Sequence, residues 1–287
     1  MKRKLPLVIC MLLLMAALPF TAAANGATIT KPLDFTLDSA DSDYPGASGA
    51  GWSWDAGSKV LTLSGINLDV DADFAIELPD GAKIVLAEGT DNNIANSYGR
   101  GIVCLGGSLL ISGGGNLNLN TNAMGFRVWD NLTVDISGNL VITVNVNGDE
   151  EGGYCPVGLC VGNCDDEGGD LVVRNCNTFS ITSFYNTIRC LGNVSISDCG
   201  EVALLSTSDY GYVGIRSFDT VSISNCPKVS IVGDSNGIRS HGDVLIADCP
   251  DIEVRANRDT GGDEPGHGIF ADSGSVTITD SHLTAYG

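Results

Sequence analysis

Basic residues are scarce: 15 Lys and Arg stand against 35 Asp and Glu, for a formal charge of −20. Phosphate recognition needs the opposite sign, which argues against nucleic acid and anionic membranes as partners. Histidine is scarcer still. His241, His267 and His282 are far apart, and no H-E-x-x-H, P-loop or Ser/His/Asp order accompanies them. Beyond the first two dozen residues no apolar run approaches the roughly 18 residues of a membrane span. Helix signals are missing as well. The acids are 27 Asp to 8 Glu, and no long stretch places apolar residues at helical spacing.

What is present begins with a leader pattern. Met1-Lys2-Arg3-Lys4 precedes an apolar run from Leu5 to Phe20 and then Ala22-Ala23-Ala24. A basic n-region, an h-region and a small-residue site predict a signal peptide over 1–24, and hence a secreted, extracellular or cell-surface protein. The rest holds 37 glycines and short alternating runs such as Val60-Leu61-Thr62-Leu63 and Val194-Ser195-Ile196. Period-two alternation between turn residues predicts strands with one buried face.

The runs repeat. Val221 to Ile231 recurs without a gap as Val244 to Val254, again as Val194 to Leu204 and Leu171 to Ile181, and less closely as Leu109 to Leu119. A last copy starts at Val276. A second short element precedes each copy and starts at Gly101, Gly125, Gly158, Thr187, Gly214, Gly237 and Gly268, at intervals of 23 to 33 residues. A repeat of this length means a solenoid or a propeller. Three very short strands per unit, with a constant second turn and a variable return loop, favour an all-β right-handed parallel β-helix of seven or eight coils. Stacked coils lie about 4.8 Å apart, so equivalent residues form columns along the axis.

The columns assign roles. Ile102, Phe126, Leu159, Ile188, Ile215, Ile238 and Ile269 form an inward apolar column, and the preceding glycines are read as allowing a tight turn. Asn175, Asp198, Asn225, Asp248 and Asp280 occupy the bend between the second and third strands, where their side chains tolerate left-handed backbone. Cys176, Cys199, Cys226 and Cys249 fall in one inward column, read as reduced thiols acting as small apolar filler. Cys104 and Cys190 join a second inward column with Ser217, Ser240 and Ala271. Cys155, Cys160 and Cys164 form a tighter group, for which a disulfide is favoured over a metal site. The domain reading is a signal over 1–24, an N-terminal β cap over 25–73 carrying the Trp52/Trp54 strand pair, and coils over 74–287.

The candidate site lies on the outer face of the first sheet. One outward column reads Val103, Arg127, Cys160, Arg189, Arg216, Arg239, Phe270. Two residues further on, the next reads Trp129, Gly162, Leu191, Phe218, His241. In one reading the arginines pair with carboxylates and the aromatics are covered by loops. In the other, Arg127, Trp129, Arg189, Arg216, Phe218, Arg239 and His241 line a carbohydrate groove. There guanidinium forks would clamp hydroxyls or carboxylates, and ring faces would receive sugars. The acidic loops Asp149-Glu150-Glu151, Asp165-Asp166-Glu167 and Asp259 with Asp263 and Glu264 are candidate Ca²⁺ ligands, because Ca²⁺ takes six to eight hard oxygens.

With its Asn/Asp ladder at the short turn, the coil pattern resembles the pectate-lyase-like superfamily of right-handed parallel β-helices. The segment Gly51-Trp52-Ser53-Trp54-Asp55, followed by Lys59 to Gly65, resembles the start of secreted bacterial carbohydrate-binding-domain proteins. The resemblance implies binding of cellulose- or pectin-type polymers with Ca²⁺, and a plant cell-wall or other polysaccharide as the partner of a monomer. Three functions stand at this point: a non-catalytic polysaccharide-binding protein, a polysaccharide lyase, and an adhesin or spacer without a glycan ligand. A lyase needs a base, for which Arg189, Arg216 or Arg239 could serve. A hydrolase needs clustered Asp where this chain has Arg, Cys, Val and Phe.

Overall fold

Alternating runs bounded by turn residues do become strands. The computed structural model describes residues 27–145, 156–163, 168–208, 211–257 and 266–286, and every regular element in them is a β-strand. Coil 1 is built from Phe74–Glu77, Lys83–Leu86 and Asp91–Asn96. Seven further three-strand sets follow, ending with coil 8 at His267–Ala271, Val276–Thr279 and Leu283–Tyr286. Like strands of successive coils pair in parallel, producing sheets of nine, eleven and nine strands. The molecule is a parallel β-helix of the right-handed type.

The register follows the repeat residue by residue. Ile102, Phe126, Leu159, Ile188, Ile215, Ile238 and Ile269 pair in unbroken sequence. All but Ile269 are fully buried, so the core is a column of branched and aromatic side chains. The second bend is equally regular. Asn175, Asp198, Asn225, Asp248 and Asp280 all sit at φ between +47° and +62°. Short polar side chains lower the cost of that left-handed conformation.

The corner glycines have a different cause from the one expected. Gly101, Gly125, Gly158, Gly214, Gly237 and Gly268 are not in the left-handed region. They are small because space is lacking. A Cβ on Gly214 would stand 2.5 Å from the Gly237 carbonyl oxygen and 2.7 Å from Ile231 Cγ2 of the third sheet. In coil 5 the same place is taken by Thr187, whose hydroxyl donates to the Gly214 carbonyl at 2.6 Å.

The two ends differ. At the N-terminal end, Trp52–Asp55 runs antiparallel to Val60–Leu63, which in turn stacks in parallel on Lys83–Leu86. Phe35 stacks on Trp54 at 4.7 Å and meets Trp52 edge-on at 5.5 Å, and all three rings are buried. At the other end Val276 and Ile278 extend the buried Val244 and Ile246 columns yet are 44% and 39% exposed. The segment 1–24, predicted as a signal peptide, lies outside the described residues.

Candidate ligand-binding face

The first-sheet strands Met124–Val128, Val157–Val161, Ile188–Cys190, Val213–Ser217 and Asn236–Ser240 place one side chain each on a common outward row. The row reads Val103, Arg127, Cys160, Arg189, Arg216, Arg239, Phe270, in register throughout. Backbone bonds from Trp129 to Cys104, Gly162 to Val128, Leu191 to Val161, Phe218 to Cys190 and His241 to Ser217 set the second row. The same bond, from Asp272 to the Ser240 carbonyl, adds Asp272 to that row. The sequence reading stopped at His241, although Asp272 lies one repeat interval further on.

These side chains do not act alike. Arg127 is only 8% exposed, and its Nη1 donates to the Gly162 carbonyl at 2.8 Å and to Cys160 Sγ at 3.0 Å. It is therefore scaffold rather than groove, held by the backbone of the next coil, where Gly162 stands at φ +103° in the second row. Trp129 is 37% exposed but is separated from Leu191 by Gly162, so the aromatic row is interrupted.

Arg189, Arg216 and Arg239 remain as a part-exposed trio on adjacent coils. Among the described residues neither Arg189 nor Arg216 forms an ion pair, while Arg239 Nη2 reaches Asp272 Oδ2 at 3.4 Å. His241 Nε2 lies 3.1 Å from the same oxygen. Partial burial and the guanidiniums of Arg239 and Arg189 weaken the hold of Arg216 on its proton; Asp272 opposes this. The Arg216 guanidinium lies over the Phe218 ring at 5.1 Å, and that of Arg239 over Phe270 at 5.6 Å. His241 tilts against Phe218 at 4.9 Å. One face of Phe218 is thus already covered by a cation. The ring face that the sequence reading offers to sugars is, at Phe218, shared with the Arg216 guanidinium.

The surface is rich in donors and poor in proton acceptors. Each guanidinium carries five N–H groups and no acceptor. Its described carboxylate, Asp272, is shared by Arg239 and His241. The proposed Ca²⁺ ligands Asp149, Glu150, Glu151, Asp165, Asp166, Glu167, Asp259, Asp263 and Glu264 all lie outside the described residues. Within those residues no set of three or more His, Cys, Asp and Glu side chains is placed to hold a metal ion. Cys10, Cys155 and Cys164 lie outside them too, and the seven described cysteines (Cys160 included) are free and buried.

The inward thiols are more specifically placed than filler. Cys199 and Cys226 donate to the carbonyls two residues back, Ser197 and Ser224, at 3.2 Å each, and Cys249 donates to Ala247 at 3.3 Å. The hydrogen bond with Cys176, together with burial, pushes the Cys199 thiol up to about 12. Burial above all pushes Cys190 up to about 12 and Cys104 up to about 11.

Comparison with known protein families, with curated proteins and with solved structures finds no match to this chain. What the structure supports is the parallel β-helix fold alone.

Proposed function

We propose that the chain is a secreted, non-catalytic polysaccharide-binding protein. Its docking surface is the outer face of the first sheet, centred on Arg189, Arg216 and Arg239 with Phe218 and His241 beside them. The observation that carries this reading is the in-register guanidinium row, two of whose members have no carboxylate partner among the described residues. Stacking like charges about one coil apart is unfavourable unless acceptor oxygens meet them. A chain of net charge −20 holds many carboxylates that could have done so internally. Glycan hydroxyls and carboxylates are acceptors suited to bidentate forks.

Affinity electrophoresis against polygalacturonate, xylan and cellulose tests the proposal. Arg216→Ala is expected to weaken retardation by about tenfold, the loss of one charge-assisted hydrogen bond. Phe218→Ala should weaken it less, by freeing the Arg216 side chain. Unchanged retardation in both variants removes this face from consideration.

A second reading, a polysaccharide lyase, draws on one observation: the weakened proton affinity of Arg216 suits a base better than an isolated guanidinium does. Its signature would be ultraviolet absorbance of an unsaturated product growing with time on pectate.

A further inference from the structure

On the third sheet, far from the arginine row, lies a trough of about 400 Å³ whose lining contains no charged residue. In a chain this acidic, an uncharged surface depression calls for an explanation. Its walls are two outward columns. Asn67, Asn93, Asn118 and Val141 pair in register along one, and Ala95, Asn120 and Thr143 along the other. The small Ala95 sits between larger neighbours and deepens the floor.

The amides are held in place before any ligand arrives. Asn118 Nδ2 donates to Asn93 Oδ1 at 3.0 Å, Asn145 Nδ2 to Asn120 Oδ1 at 2.5 Å, and Asn67 Nδ2 to Thr28 Oγ1 at 3.0 Å. A carboxamide has two N–H donors and two acceptor lone pairs. One ladder bond uses one donor of one residue and one lone pair of the next, so each keeps capacity of both kinds. These are not the corner asparagines. Asn92 and Asn96 are fully buried and bonded mostly to backbone groups of the neighbouring windings, which makes them structural.

We infer that this trough is a second binding site, for a neutral linear polysaccharide lying along the solenoid axis. A hydroxyl both donates and accepts, and so matches an amide that offers both. A carboxylate or sulfate only accepts. It would find no cation in the trough and would meet Asp69, which is in register with Ala95 of the second column. The coil pitch of about 4.8 Å is close to the length of one sugar ring in an extended chain, so successive residues meet successive coils. Held side chains lose little freedom on binding, which favours association. No aromatic ring lines the trough, so affinity comes from hydrogen bonds in competition with water and is expected near the millimolar range. The site is independent of the arginine row and stands or falls separately from it.

The test is an NMR titration of the full chain with cellohexaose, xylohexaose and mannohexaose, with hexagalacturonate as the anionic comparison. At least one neutral probe is expected to shift the backbone amides of Asn93, Asn118, Asn120 and Thr143 at up to about 10 mM. The double variant Asn93→Ala/Asn118→Ala should weaken that response at least fivefold, and Arg216→Ala should leave it unchanged. Ala95→Arg, which fills the floor while keeping the amides, should abolish it and decides the matter if the double variant loses its fold. The inference is overturned if no neutral probe shifts these amides, if hexagalacturonate shifts them more strongly, or if a folded trough variant binds as well as the parent. Loss of glycan retardation in Arg216→Ala with an intact trough titration separates the fate of the two sites.

Discussion

Asn225 shows what a single repeated position demands. Its φ of +53° is held in a bend whose amide bonds the next coil, and its Nδ2 reaches Asp198 Oδ1 at 3.2 Å. Asn225→Ala is expected to cost about 1 kcal/mol, and Asn225→Gly much less, because only the first carries the full left-handed penalty. Urea midpoints of the two variants check this. The buried thiols make a second residue-level prediction. Cys104, Cys190 and Cys199 all titrate above the ordinary 9.0 in the folded chain. Below pH 9.0 folded and unfolded states both keep these protons, so their contribution to stability is fully present. Between there and about 11 for Cys104, or about 12 for Cys190 and Cys199, only the unfolded state releases them, and the contribution is lost as pH rises. Denaturant midpoints measured from neutral pH into this alkaline range should fall, with a shallower slope in Cys199→Ala.

At the scale of the element, the corner between the third and first sheets is set by contact distance. Gly214→Ala should cost about 1–3 kcal/mol, because its Cβ would press on a backbone oxygen and a core methyl that cannot both retreat. Gly106→Ala, where the nearest atom is 3.4 Å away, should be close to neutral by the same urea measurement. The difference also explains which parts of the molecule could be read in advance. The gap-free spacing from Gly-Ile-Arg-Ser placed the core column and the arginine row correctly, since register in a solenoid is simple counting. Asp272 was reachable by the same counting. Other features were not, because they depend on contacts between distant segments. The corner glycine answers to Ile231 on another sheet. Arg127 turns aside to the Gly162 carbonyl of the next coil. The Phe218 face is taken by Arg216, a choice of rotamer rather than of sequence. The amide trough is not legible from the repeat alone, because asparagine signals a bend by its backbone preference, whereas Asn93 and Asn118 stand on a strand face.

At the scale of the whole molecule, each coil contacts its neighbours and little else, so stability is a sum of local terms and interfaces. At one end Phe35, Trp52 and Trp54 are buried, whereas coil 8 leaves Val276 and Ile278 exposed. Amide hydrogen exchange should accordingly slow from coil 8 inward and be slowest in the middle coils. Ile215→Ala, fully buried with coils on both sides, should cost about 2–5 kcal/mol, and Ile269→Ala, part-buried in the last coil, distinctly less. The cap hairpin has one more consequence. Its partners, Trp52 and Leu63, Trp54 and Leu61, are close in the chain, so it can form before anything downstream exists. Every later winding then asks only for the one before it. A polypeptide emerging amino-end first from a ribosome can thus be spooled onto its own beginning as it appears, never waiting for its final residues.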